Sequence, residues 1–270
     1  MATVLMSASA AITDPCIVFA LRRESMYFRR RFSFRQRFFG APCPAEFRGS
    51  ASRSVLMLET GLGAAAMEKA LRWCLNAPRF GAATYRPRFV LSAGFSGALQ
   101  AGQRVGDLIL ATEIVDEEGY RWLPRSHAPR GNARPDAPRR VPSLATGRLL
   151  TVPVLVGDPR EKQRLGERYQ ALAVDMETAV VARLCQEHDT PLLCLRVISD
   201  DLNTPLSPHL VELLRRGRVT PPRLAWTLLR HPSLIRELGR LAGQTRFAAR
   251  QLLAGVSDFL FAPPFLEEVG

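Results

Sequence analysis

Short apolar runs that end in glycine turns or carboxylates, alternating with helically spaced segments, constrain this chain more than any other feature. "CIVFAL" (16–21) has a β-branched centre and suits a buried strand. "SVLMLET" (54–60) repeats that character before Gly61-Leu62-Gly63 opens the helically spaced "AAAMEKALRWCL". "RFVLSAGFSGAL" (88–99) is a strand running into a glycine-rich turn, and "VGDLILATEIVD" (105–116) is a strand entered through Gly106-Asp107. Farther on, "DPREKQRLGERYQ" (158–170) reads as a capped helix, "ALAV" (171–174) as a short strand and "ETAVVARLCQEH" as a helix. "PLLCLRVIS" (191–199) is an apolar strand interrupted only by Arg196. Strands alternating with helices predict an α/β fold, helices sandwiching a mostly parallel or mixed sheet. Arg121 to Leu144, rich in Pro, Arg and Ala, is expected to be a loop.

The character changes after Asp201. The remainder is helical and basic, with "SPHLVELLRRG", "PPRLAWTLLRHP" and "SLIRELGRLAGQTRFAARQLLAGV" split by prolines. The expected organisation is therefore an α/β domain over 15–205 and a basic α-helical extension over 206–258, after a short disordered start before residue 15. In the last helix Leu234, Leu238, Leu241, Phe247 and Leu252 are expected to share much of one side, bordered by Arg236, Arg240, Arg246 and Arg250. Two readings of that border stay open: the solvated face of a core-packing helix, or a face lying against an anionic membrane.

The formal charge of +12 is almost entirely arginine, with Lys69 and Lys162 the only lysines. It gathers in 22–53 and 206–250, each with nine Arg against two Glu, and neither stretch carries a zinc finger, an RNP-like aromatic motif or a helix-turn-helix. Specific nucleic-acid binding is not expected. Five cysteines, an odd count without C-x-x-C spacing, read as small buried hydrophobes of a reducing compartment. No apolar run is long enough to cross a bilayer, and the first residues lack the basic start of a signal peptide, so a cytoplasmic location is expected.

Position brings in the chemistry, because ligands of open α/β sheets collect beyond the carboxyl ends of the strands. Glu24 follows the first strand, Gly61 and Gly63 the second, and Gly94-Phe95-Ser96-Gly97 the third; Asp175, Met176 and Glu177 follow "ALAV", and Ser199, Asp200 and Asp201 follow "PLLCLRVI". Each has a structural alternative. The glycine pair could be a tight turn, Asp175 or Asp200-Asp201 a cap, Glu177 a complement to a helix dipole, and Glu24 a partner of Arg22 or Arg23.

Together, Glu24 after "CIVFAL", the "AGFSGALQAGQRVGDLIL" block, "AVDMETAVVA" and "LRVISDD" resemble, in order and spacing, the nucleoside phosphorylase superfamily, particularly the branch of methylthioadenosine/S-adenosylhomocysteine nucleosidase. The resemblance spans roughly residues 15–205. It implies a three-layer α/β/α sandwich with a mixed central sheet, and cleavage of a purine nucleoside's N-glycosidic bond without metal or organic cofactor. The Arg- and Leu-rich helices after "RVISDD" further resemble hopanoid-associated phosphorylases that act on adenosylhopane.

The resemblance also implies roles. Asp200 protonates purine N7, Glu177 accepts hydrogen bonds from the ribose hydroxyls, Met176 packs on the sugar, and Glu24 activates water. Phe95, Ser96, Gly97 and Ser199 complete the substrate contacts. Where purine-type phosphorylases carry an Arg and a Ser in the third turn, this chain has Ser92 and Phe95. Phosphate would need Arg22 or Arg23 with the turns of Gly61, Gly63 or Gly97. The expected partners are a purine nucleoside and either water or phosphate, with a homo-oligomer as the assembly.

Overall fold

The computed structural model of the chain describes residues 11–49, 54–81, 83–124, 143–207, 211 and 233–261. Its first elements are β1 (Ala11–Ile12), β2 (Cys16–Phe19), α1 (Arg22–Arg31), β3 (Ser33–Arg37), β4 (Ala45–Gly49), β5 (Ser54–Glu59) and α2 (Ala64–Leu75). Next come β6 (Arg79–Phe80), β7 (Ala83–Tyr85), β8 (Val90–Ala98), β9 (Leu108–Asp116), β10 (Arg121–Trp122) and β11 (Leu144–Thr151). Last are α3 (Pro159–Tyr169), β12 (Ala173–Asp175), α4 (Thr178–Glu187), β13 (Leu192–Asp200) and α5 (Ser233–Phe261).

The central sheet is mixed, in the order β10-β9-β11-β12-β8-β2-β5-β4-β3, with β13 pairing both β8 and β9. That double pairing closes β8, β13, β9, β11 and β12 into a ring. Strands β2, β5, β8 and β13 run parallel, whereas β12 runs antiparallel to the end of β8. Helices α2 and α4 cover one face with Met67, Leu71, Val181 and Leu184. Helices α1 and α5 cover the other with Phe28, Ala248, Leu252, Val256 and Phe259. This is the expected α/β/α layering, and each layer is held by a helix stripe buried at intervals of three and four.

Several details differ from expectation. Residues 11–14 are ordered: Ala11 and Ile12 pair with Thr84 and Tyr85, and the Tyr85 hydroxyl donates to the Asp14 carbonyl at 2.8 Å. At the edges of the expected loop over 121–144, Arg121 and Trp122 pair with β9 and Leu144 opens β11; residues 125–142 lie outside the described residues. The basic stretch after residue 22 forms α1 and the β3–β4 hairpin, with Arg48 buried and Arg29 partly buried while Arg22, Arg23, Arg30, Arg31, Arg35 and Arg37 stay exposed. Glu46 pairs with Arg37 and Arg48, Glu59 pairs with Arg29, and Arg48 also donates to the carbonyls of Arg29 and Phe32 at the end of α1.

The first two of the three expected C-terminal helices lie largely outside the described residues. In α5 the apolar residues do not share one side. Leu252 lies on the buried stripe, Leu238 and Leu241 pack around Leu206, and Phe247 is 49% exposed against Gly106. A straight helix turns about 100° per residue, so positions 247 and 252 fall on different sides. Arg240, Arg246 and Arg250 are exposed, and Arg250 donates to the Tyr27 hydroxyl on α1 at 3.0 Å. No helix among the described residues is long and apolar enough to cross a membrane.

Candidate active site

The parallel course of β2, β5, β8 and β13 brings their carboxyl ends to one edge, and β12 returns across the end of β8 to add Asp175, Met176 and Glu177. Glu24 sits there in the first turn of α1. Its buried carboxyl accepts from two backbone amides, Leu21 at 2.7 Å and Phe95 at 2.8 Å. Burial raises its pKa above the ordinary carboxylate value; the two amides and the charge of Arg196 offset only part of that rise. Arg22 and Arg23, its sequence neighbours, are exposed. Gly94 makes the approach possible, since a Cβ there would stand 2.8 Å from Glu24 Oε1.

Glu177 occupies the N-cap position of α4, but its side chain reaches away from that helix to accept from the Gly63 amide at 2.9 Å. Burial, then the neighbouring charge of Asp175, pushes it up to about 7, with Glu24 contributing in the same direction. Gly61 and Gly63 have φ of 89° and 92°, a region that favours glycine. Their amides are engaged inside the protein, Gly61 to the Ala20 carbonyl and Gly63 to Glu177. Met176 is half-buried between the two acids.

Asp175 is part of a buried polar cluster rather than a simple cap. Its Oδ2 accepts from Arg196 at 2.9 Å and from the Thr178 hydroxyl, and its Oδ1 accepts from the Thr151 hydroxyl at 2.8 Å. Arg196 also donates to the Ser92 hydroxyl at 2.9 Å and to Thr178. A buried ion pair with its hydrogen bonds filled fixes geometry at some cost in desolvation. Here it locks β8, β12, α4 and β13 together directly behind Glu24 and Glu177.

Asp200 closes the other end of the site. The ladder between β8 and β13 shifts after Ile198, leaving Ser199 as the extra residue and setting Asp200 opposite Gly97. The Ser199 hydroxyl donates to Asp200 Oδ1 at 2.8 Å and lies 3.3 Å from the Ser96 carbonyl. Asp200 Oδ2 meets the ammonium of Lys162, which also donates to the Asp201 carbonyl at 2.9 Å. A Cβ at Gly97 would stand 3.0 Å from that same oxygen. Asp201 is the residue that caps, accepting from the Thr204 amide at 2.8 Å.

The structure thus gathers Glu24, Phe95, Ser96, Gly97, Met176, Glu177, Ser199, Asp200 and Gly63 around one rim, with Gly61 in the turn beside it. Arg22 is exposed at the start of α1. Two charged residues of the site carry no role in the sequence reading, Arg196 and Lys162. Both left a signal: Arg196 is the one charge between Leu192 and Ser199, and Lys162 stands with Leu165 and Gly166 on the buried face of α3. Among the described residues no group of three or more His, Cys, Asp or Glu side chains is placed to share a metal ion.

Comparison with known proteins agrees with this architecture. The sequence profile of the phosphorylase superfamily matches residues 45–229. The 5′-methylthioadenosine/S-adenosylhomocysteine nucleosidase of Geobacillus thermodenitrificans is 27% identical over 201 residues, 68% of this chain and 82% of that protein. The nucleosidase of the same name from Bacillus subtilis is 26% identical over 172 residues, 57% of this chain and 70% of the relative. Among solved structures, a Helicobacter pylori methylthioadenosine nucleosidase variant with 5′-methylthioadenosine in its active site shares the fold with a TM-score of 0.63. It is 18% identical, and the match covers 92% of this chain and 99% of that one. The futalosine hydrolase of the same organism gives a TM-score of 0.64 at 18% identity, covering 92% and 98%.

Proposed function

The chain belongs to the phosphorylase superfamily, and from that premise we propose that it hydrolyses the N-glycosidic bond of an adenosine-type nucleoside. Breaking a ribosyl C–N bond passes through an oxocarbenium-like sugar, so a site must hold positive charge on the ribose and supply a proton to the departing base. Asp200 is the acid that protonates purine N7. Glu177 binds the ribose hydroxyls through Oε2, which accepts no hydrogen bond among the described residues, and Met176 packs on the sugar. Glu24 orients the attacking water and takes its proton.

One observation carries the choice of water over phosphate: Glu24 and Glu177 are both buried carboxyls at this edge, and the charge of Glu24 adds to the raised proton affinity of Glu177. A dianion entering beside them would meet repulsion, while a neutral water would meet a base whose proton affinity burial has raised. The glycine amides that could cradle phosphate are occupied within the protein, and Arg196 is taken up by Asp175, Ser92 and Thr178. Arg22 and Arg23, the cationic candidates of the sequence, are both exposed at the start of α1.

The substrate is found by incubating the protein with methylthioadenosine, adenosylhomocysteine, adenosine and an adenosyl-lipid, and following release of free adenine. Adenine release from any of them supports the reading. Purified, folded protein that releases none of it would overturn it. The adenosyl-lipid is included for the resemblance of the C-terminal helices to hopanoid-associated enzymes. Preference for it would give the exposed Arg240, Arg246 and Arg250 face of α5 a place against an anionic membrane.

A further inference from the structure

We infer that Lys162 is a positioning residue for Asp200, holding the acid in place and neutralising the carboxylate that remains once its proton has passed to the base. The inference rests on the proposed role of Asp200. Lys162 is one of two lysines in a chain whose cationic charge is otherwise arginine. Its side chain is 0% exposed, on a helix face where Leu165 and Gly166 are its buried companions. An ammonium withdrawn from water in this way needs acceptors that replace its hydration. Asp200 Oδ2 and the Asp201 carbonyl are those partners.

The surroundings are shaped for this pair. Gly97 leaves the space, since a Cβ there would come within 3.0 Å of Asp200 Oδ2 and 3.6 Å of Lys162 Cε. Ser199 holds the second carboxyl oxygen, so both oxygens of Asp200 are fixed from the protein side. An arginine would bring a wider, planar head to a slot filled by a compact ammonium. As the C–N bond breaks, its electron pair passes to the base and the proton moves from Asp200 to N7. The carboxylate left behind is already paired, and a fixed cation stands on the side to which negative charge flows.

A double-mutant cycle separates this role from packing. Lys162→Met should lower kcat at least about tenfold, part of the ~10²–10⁴-fold that a general acid contributes, with KM changed little. In an Asp200→Asn background the same substitution should cost almost nothing further, because the residue through which it acts is gone. Lys162→Gln, which keeps a donor without the charge, should fall between wild type and Lys162→Met and provides a second folded variant. Thermal unfolding of each variant establishes that it is folded. An equal fold-loss in both backgrounds, or no loss in the wild-type background, would overturn the inference. A fully active Asp200→Asn would instead remove the proposed acid, a separate failure.

Discussion

At one end of the site two carboxyls, Glu24 and Glu177, are held by backbone amides alone; at the other, Asp200 is held by an ammonium and a hydroxyl. All three are buried acids on the same sheet edge, yet their surroundings push them toward different work. The amide-bound pair is desolvated, and Glu177 also feels the charges of Asp175 and Glu24, so the proton affinity of both rises, which suits a base and a binder of a cationic sugar. Asp200 faces a fixed ammonium, which on the proposed reading would stabilise the carboxylate left once a proton has been given up. Residue type alone does not distinguish these roles, and the partners do.

The largest effect is expected at the acid end. Asp200→Asn should lower turnover about 10²–10⁴-fold while leaving ligand binding largely intact. Asp201→Asn, which alters a side chain that meets only the Thr204 amide and keeps the carbonyl that faces Lys162, should retain most activity. Steady-state kinetics of the pair checks this, and near-normal activity in Asp200→Asn would mean that the two ends do not divide the chemistry.

At the other end the intermediate test is steric. Gly94 has no positive φ, so Gly94→Ala is limited by space alone, with its Cβ directed at Glu24 Oε1. Displacing that carboxyl by a fraction of an ångström should cost roughly 10- to 100-fold in kcat, with the melting temperature little changed. A variant that retains full activity would show that the position of Glu24 is not important to the reaction.

The smallest effect sharpens the contrast through pH. Between its ordinary value of 4.5 and about 7, Glu177 in the folded protein keeps a proton that the unfolded chain has released. Its contribution to stability is therefore full below 4.5 and declines as pH rises through 7. Glu177→Gln should make the melting temperature fall less between pH 5 and pH 8 than in wild type, while raising KM and lowering kcat together. Parallel melting curves for the two proteins across that range would remove the argument from burial.

The two ends also differ in how far they could be read from sequence. Glu24, Glu177 and Asp200 were legible because each follows an apolar strand, and the alternation of strands and helices places strand ends at a ligand edge. Their partners were not. Lys162 lies 38 residues from Asp200 in the chain, and its meaning depends on α3 packing over the end of β8. Arg196 interrupts an apolar strand in plain view, but only the return of β12 reveals Asp175 as its counter-charge. The hairpin of β3 and β4 was hidden for a related reason. A run such as "AEFRG" alternates apolar with charged residues, as a solvated edge would, yet Glu46 and Arg48 are buried beneath α1 by pairing with one another. Charge in sequence predicts exposure until a partner is known.

Whether two buried carboxyls at the sugar end select water is decided by identifying the sugar product of the best substrate with and without inorganic phosphate. Free sugar is expected in both cases, at rates that phosphate does not increase. Accumulation of sugar 1-phosphate, with turnover that depends on phosphate, would contradict it and return the nucleophile to Arg22 and the Gly61–Gly63 turn.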